Sequence, residues 1–415
     1  MDVNALYDVV IVGAGPSGIA AAVSAGRNGA KTLLIERYGC IGGMSTSGLL
    51  TVWCGDASSG IFDEIRRTTT IKRGRRQVFD PERLHEVYRR LLQECAVDML
   101  LHTSLCGVEH TGRQITSLSL LSKSGMVRVQ GRIYVDATGD GDLACLAGIP
   151  YQKGREQDGL MQPMTLPFMV AGVDESQAVY PTFGTHLPLQ ELMQQEVASG
   201  KVSKPAGHVI LIEGYHKGTA SVNMTNMIHV DGTDVQDLTR AEWHTRDQIE
   251  PIIAFLRRHV PGFKDCYLYR TAAHIGVRET RHFTGSFRLT EQHILNSEVF
   301  PDWLVSRAAY SFGNHNLSGS GSDPNNMKYS GQRYTIPLGC FTTREFDNLL
   351  LNGRCISGTH MAHASFRVMP ICLAMGQGVG TAAALCSKAG TPLQQLDTAA
   401  VQKRLLAQGV SAPQA

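Results

Sequence analysis

The chain has 415 residues, enough to bury a large core and to hold two domains. With 39 Lys and Arg against 37 Asp and Glu its net charge is +2, so it lacks the strong basic excess that marks nucleic-acid binders. Ten cysteines lie scattered with no Cys-x-x-Cys and no paired Cys/His spacing, so neither a disulfide framework nor a metal centre is expected, and reduced thiols in cytoplasm fit best.

Residues 8–18 (DVVIVGAGPSG) form the first recognisable unit. Val9 to Val12 are apolar and β-branched, the composition of a strand buried on both faces. Gly13, Gly15 and Gly18 follow as G-x-G-x-x-G, enclosing Pro16 and Ser17, and a small-residue helix continues through Ile19–Ser24. The three glycines serve a tight turn, bare backbone for a pyrophosphate, and close helix–strand packing. The helix N-terminus offers free N–H groups to the phosphates. Lys31–Ile35 supplies a second strand, and Glu36, 18 residues beyond Gly18, stands where an acid holds a ribose hydroxyl. Strand, glycines, helix, strand and acid in this order predict a dinucleotide site. The uncharged run Val9–Gly26 is broken by glycine and proline and preceded by an acid, so neither a signal peptide nor an anchor is expected. No other run is long and apolar enough to span a bilayer.

Further along, the pair Gly42-Gly43 followed by Met44, Ser45 and Thr46 suggests backbone approaching a second part of the cofactor. The short basic run Arg66–Arg76 is expected to be a solvated face. Asp80-Pro81 opens a helix, with Asp80 as N-cap and Leu84, Val87, Tyr88, Leu91 and Leu92 at helical spacing. Strands are predicted at 98–102, 115–121, 126–129 and 133–139, the last ending in Ala137-Thr138-Gly139. The G-x-G-x-x-A at 139–144 has no second βαβ unit after it, so it is a turn beside the cofactor rather than a second site. From Ile149 to about residue 330, strand-like pieces (164–170, 208–213) alternate with helical ones (189–199, 241–259), the pattern of an inserted substrate domain. Near the end, Leu349–Leu351 reads as a strand and Gly376–Leu385 as a glycine-started helix.

Glu36 after the glycine motif, then Gly42-Gly43 with Ser45 and Thr46, resembles the FAD-binding fingerprint of glutathione-reductase-type flavoproteins. DATGDGD at 136–142, RETR at 278–281 and the terminal array from Phe346 to Pro370 and Ala374 to Thr381 extend the likeness. Over nearly the full length the chain resembles the bacterial FAD-dependent oxidoreductase family, itself distantly like the fumarate reductase flavoprotein. The resemblance implies an α/β fold with a Rossmann-like FAD/NAD(P)-binding domain of glutathione-reductase type. That domain would be discontinuous, residues 1–150 and 331–415, with an α+β substrate domain at 151–330. FAD is the implied cofactor. Arg37 would lie beside the adenine, Gly42 to Thr46 beside the flavin, and Ala137, Thr138 and Gly139 along the dinucleotide. Gly353-Arg354 stands where related flavoproteins carry an acid, so Arg354 is expected to contact phosphate. Gly376, Gln377, Gly378, Gly380 and Thr381 would aim a helix N-terminus at the flavin ring, favouring its reduced form by roughly 0.3–1 kcal/mol.

For substrate chemistry the candidates are His360, His363, Arg278, Arg281 and Arg367. Histidine can take the proton leaving an oxidised C–H, and arginines can clamp a carboxylate bidentately. Their place between the last FAD strand and helix would set His360–Arg367 near the ring. The competing assignments are satisfied structural histidines and, for Arg278–Arg281, an internal salt-bridge network. Cys40 has no resolving partner adjacent, so packing is its expected role. These features imply hydride transfer between a small organic C–H or C=C and flavin N5, by a dehydrogenase, oxidase or ene reductase. The alternatives are a monooxygenase using NAD(P)H, a tRNA-modifying flavoprotein, or a scaffold with structural FAD. A small-molecule substrate, transient NAD(P)H or O2, and a homodimer are the partners expected; nucleic acid and membrane are not.

Overall fold

The computed structural model describes residues 5–413 apart from 183, 325 and 330. Its centre is a seven-stranded sheet. Strands β1 (Leu6–Val12), β2 (Thr32–Ile35), β3 (Asp98–Leu100) and β7 (Leu349–Leu351) run parallel with the second half of β6 (Gly125–Asp136), in the order β3-β2-β1-β6-β7. Val9–Val12 and all of β2 are buried, with the helices Pro16–Arg27 and Met369–Ala389 packed on the sheet and on each other. Helix α1 (Pro16–Arg27) crosses between β1 and β2, with Gly15 at its N-cap and Pro16 at its first position.

The predicted strands at 126–129 and 133–139 are one strand, β6, which ends at Asp136. Its exposed first half joins the antiparallel meander of β4 (Ser104–Thr111) and β5 (Gln114–Ser122), and its buried second half enters the parallel core. The polar stretch Gln130–Arg132 marks that passage rather than a break. Helix α2 (Pro81–Glu94) starts as expected, with Asp80 accepting from Arg83 N–H at 2.9 Å. The basic run is partly paired: Arg66 with Asp63, Arg73 with Glu175 and Glu213.

A second apolar cluster draws on Leu49 and on residues from Met164 to Ile275. It fills the space under a four-stranded antiparallel sheet (Phe168–Ala171, Leu211–Glu213, Thr219–Val222, Tyr267–Thr271) and its helices. The helix expected over 241–259 is two, Val235–Asp247 and Ile249–His259. At the break, buried Gln248 bonds both the N–H and the carbonyl of Asn226, at 2.8 and 3.0 Å. Phe283, Leu289 and the strand Trp303–Ala309, all within the segment expected to form the substrate domain, pack into the first cluster.

The largest correction concerns the terminal helix, which is preceded by the short α3 (His360–Phe366). The helix itself, α4, begins at Met369 rather than Gly376 and runs to Ala389. Contrary to the sequence expectation, it is long and apolar enough to cross a membrane; 94% of its apolar window is buried inside the fold, so here it is a core helix. Two of its glycines serve contact with α1, where a Cβ at Gly376 would stand 2.1 Å from the Ser17 carbonyl and one at Gly380 2.2 Å from that of Ala21; one at Gly378 would instead stand 2.6 Å from the Leu304 carbonyl.

Candidate functional site

A cleft of about 490 Å³ follows the C-terminal edge of the parallel strands, where open α/β sheets bind ligands. Its middle is bare backbone. Gly13 donates to Ile35 O at 2.7 Å with φ +100°, a conformation that side chains resist. Gly15 opens directly on the cleft, with nothing within 4 Å of where a Cβ would project. The N-terminus of α1 has no side-chain cap, so its first N–H groups stand free beside Pro16 and Ser17 in the cleft wall. A diphosphate fits this cradle by chemistry and by shape. Gly18 does not reach the cleft; a Cβ there would lie 1.8 Å from Gly13 O, so it sets the contact between helix and turn.

Towards one end lie Glu36, Arg37 and Tyr38. The Glu36 carboxylate accepts from Ala14 N–H at 2.7 Å and Tyr38 N–H at 3.0 Å, which fixes it while each oxygen keeps capacity for a ribose hydroxyl. Arg37 sits 4.9 Å over the Tyr38 ring, and Tyr38 stacks on His274 at 4.9 Å and 7°. Tyr38 and His274 escaped the sequence reading, since their stacking joins residues more than 200 positions apart.

Ala137, Thr138 and Gly139 line the cleft beside this cradle. They are held by Asp136, whose buried carboxyl accepts from Thr138 N–H, Thr138 Oγ1 and Ala144 N–H at 3.0, 2.7 and 2.8 Å. Burial, only partly offset by those donors, pushes it up to about 6. Gly353 packs against Ser17 rather than facing the cleft. Arg354 does line it, but its guanidinium is engaged by Asp140 at 2.9 Å and by the Arg278 carbonyl at 3.2 Å.

At the other end the lining residues are Gly43, Met44, Ile275, Val277, Met369 and Cys372. Three residues expected beside the flavin face inward instead. Gly42 donates to Ala14 O, Ser45 Oγ bonds Gly42 O and Tyr88, and Thr46 Oγ1 bonds Ile41 O at 2.5 Å. They shape the loop that presents Gly43 and Met44. The terminal helix meets the cleft through Met369 and Cys372 in its first turn. Gly376, Gln377, Gly378, Gly380 and Thr381 lie further along in the core: Gln377 Oε1 accepts from Ser59 Oγ at 2.7 Å, and Thr381 bonds Ser24 at 2.8 Å. Cys40 also lines the cleft, as a free thiol.

The structure divides the five candidates for substrate chemistry. His360 and His363 are 1% exposed and do not line the cleft. His360 Nδ1 and His282 Nε2 both donate to Glu279 Oε1, at 2.7 and 2.8 Å. Burial alone would raise Glu279; these two donors outweigh it and hold the carboxyl well below its usual range. Burial presses His360 down, but Glu279 lifts it above the ordinary value. His363 is held well below its ordinary value by burial and by His282. Glu279, His282 and His363 bring their ligand atoms within 4.8 Å of one another. Of these two histidines only His282 is bonded to the carboxylate, which His360 shares, and the charges of Arg367 and Arg354 reach His363. The cluster therefore locks α3 onto the 279–282 segment.

Arg281 lines the cleft but is spent on Asp142 at 3.1 Å and the Asp140 carbonyl at 2.9 Å. The internal-network alternative thus describes Glu279 and Arg281. It does not describe Arg278 or Arg367, neither of which forms an ion pair among the described residues.

The sequence matches the family described as FAD dependent oxidoreductase over residues 8–405. A 41-residue stretch is 56% identical to digeranylgeranylglycerophospholipid reductase of Methanocaldococcus jannaschii, 10% of this chain and only 10% of that relative's length. The geranylgeranyl bacteriochlorophyll reductase-like protein of Thermoplasma acidophilum superposes with a TM-score of 0.51 at 14% identity, covering 98% of this chain and 92% of that one. CabE, an aromatic hydroxylase from angucycline biosynthesis, gives 0.52 at 13% identity over 99% of this chain and 70% of its own. Identities this low speak to the fold alone, whereas the family match spans almost the whole chain. With its parallel core and diphosphate cradle, the chain belongs to the FAD dependent oxidoreductase family and is an FAD-dependent oxidoreductase.

Proposed function

We propose that the enzyme moves a hydride between a C–H or C=C bond of a small organic substrate and its flavin. Gly13, Gly15, Pro16 and Ser17 would hold the diphosphate, Glu36 the ribose, and Met44, Ile275, Val277 and Met369 the ring system. When bound, FAD supplies the acceptor or donor of that hydride. The observation that carries the proposal is the topology. Among the described residues the parallel crossover that builds a dinucleotide site occurs in the seven-stranded sheet alone, and the other sheets pair antiparallel. No second nucleotide fold is therefore offered to NAD(P)H, which favours the substrate as the hydride partner, with O2 or a visiting nicotinamide completing the cycle.

The protein's own share of the work is to bind, orient and exclude water. Apolar Met44, Ile275, Val277 and Met369 keep the reacting end dry, which strengthens every polar contact made there. His360 and His363, sealed away from the cleft, are not the proton acceptors on this reading.

The test is anaerobic reduction of the purified holoenzyme by a panel of small metabolites, compared with NADH and NADPH alone. Bleaching of the flavin bands by a metabolite in the absence of nicotinamide is the expected result. Fast bleaching by NADPH alone, with no metabolite active, would replace this reading with a nicotinamide-driven monooxygenase.

A further inference from the structure

Arg281, Arg354 and Arg367 line the cleft with Arg278 packed behind them, and the four charges are not equivalent. Arg354 and Arg281 are neutralised by Asp140 and Asp142. Arg278 is 8% exposed, and among the described residues its guanidinium hydrogen-bonds only to the Pro163 carbonyl, from Nη1. Arg367, on the cleft wall, donates from Nη2 to the Gly313 carbonyl at 2.8 Å and to Gln162 Oε1 at 3.3 Å. Its Nε is buried with no partner.

The two guanidiniums are anchored on consecutive residues, Gln162 and Pro163, so they share one small volume. Uncommitted polar atoms accompany them: Gln162 Nε2 and Asn314 Oδ1 are buried without partners. The histidines alongside add no charge, since burial and the nearby Arg278 hold His208 down to about 4 and His315 well below its ordinary value. Burial and the charge of Arg367 press Arg278 itself down to about 9, so it is still a cation at neutral pH. Two cations are brought out of water side by side with spare donors, and Glu279, the acid whose charge reaches Arg367, is already committed to His282, His360 and the Gln162 N–H; such a pair is costly unless an anion joins it.

We infer that Arg278 and Arg367 form the binding subsite for a carboxylate group of the substrate, so that the enzyme acts on small organic acids. This rests on the proposed hydride transfer, because it supplies the orientation that step needs: a fixed carboxylate sets the neighbouring carbon against the ring. Guanidinium forks match carboxylate geometry, and the unpartnered Nε of Arg367 is a position a carboxylate would use.

The probes are malonate and its neutral analogue malonamide, titrated into oxidised holoenzyme by flavin absorbance and into apoprotein by calorimetry. Malonate should bind in both, at least about tenfold more tightly than malonamide, as expected for charge-assisted hydrogen bonds. Arg278→Met and Arg367→Met should each weaken malonate about tenfold or more and leave malonamide unchanged, with Arg278→Lys recovering part of the loss. If Arg278→Met fails to fold, Arg367→Met on the cleft wall decides the matter. Equal affinity for the two probes in folded, yellow protein would overturn the carboxylate subsite while leaving the FAD assignment intact. So would variants that weaken flavin binding but not malonate, since the anion would then be the cofactor. Protein that stays colourless with excess FAD would defeat the hydride-transfer reading, and malonate calorimetry on that protein still decides the anion site.

Discussion

At the diphosphate end of the cleft the walls are backbone: the Gly13 turn, the open Cα of Gly15 and the uncapped start of α1. At the opposite end they are side chains, with buried arginines, an apolar rim and histidines locked on Glu279. Backbone walls can recognise a phosphate but cannot tell one substrate from another, because every residue offers the same N–H. Side-chain walls can discriminate, and they take the cost of buried charge to do so. The first end therefore announces the cofactor, and the second holds the specificity.

The sharpest way to break that contrast lies within the glycine motif. Gly18→Ala forces a Cβ to within 1.8 Å of a backbone carbonyl that cannot move without the turn. We expect a loss of about 3 kcal/mol or more in denaturant-measured stability, at the upper end of overpacking, with FAD binding lost as well. Gly15→Ala meets no protein atom, and its φ of −74° suits alanine. It should cost under about 1 kcal/mol, as a poorer N-cap, yet lower FAD affinity by about 10- to 100-fold. Equal effects of the two on stability would mean that the glycines do not divide the work as described.

Next in size is Glu279→Gln, at the side-chain end. Glu279 Oε1 takes both imidazole donors and Oε2 accepts from Gln162 N–H at 2.9 Å, so an amide would set donor against donor. The expected loss is about 2–3 kcal/mol. Its pH dependence follows from the two shifts. Glu279 is held low, so its contribution is present above the ordinary glutamate value of 4.5 and is lost as pH falls through the depressed one. His360 is held high, so its contribution is full below 6.5 and fades as pH rises through the raised value. The gap in melting temperature between wild type and variant should be widest near about pH 5.5 and narrower near about pH 9. A gap that does not change with pH would remove the ion-pair account.

The sequence made the backbone end legible and the side-chain end only nameable. Val9–Val12, the three glycines and Glu36 are contiguous, so spacing alone orders them. The reacting end is assembled from residues 44, 275, 277, 367 and 369, whose meeting depends on how the second sheet packs. The glycines of α4 were misassigned for a physical reason: small residues that let two helices touch resemble small residues that let backbone touch a ligand. His360 and His363 look equally poised for chemistry in sequence, and only the buried Glu279 beside them shows their charge chemistry to be internal. Arg278 and Arg281 share one motif, and the placement of Asp142 alone separates a spent cation from an unspent one.

Arg354 stands where the two ends meet, and it gives the smallest effect and the finest test. Sequence position casts it as a phosphate ligand; in the fold it is paired with Asp140, with side chains 21% and 10% exposed. Arg354→Met leaves Asp140 with the Thr280 hydroxyl at 2.8 Å and beside Asp142, whose carboxyl is pushed up by burial and by the charge of Asp140. The loss should be about 1 kcal/mol, since the pair is partly open to water. Part of it should return on acidification, as protonation of the raised Asp142 carboxyl relieves its repulsion with Asp140. FAD affinity measured at low salt separates the roles. A guanidinium spent on Asp140 changes it by no more than about threefold, whereas a direct phosphate contact would cost about tenfold or more and fade as salt is added. The smaller, salt-insensitive change is the one expected, because at the diphosphate end bare backbone already does what this side chain would have to do.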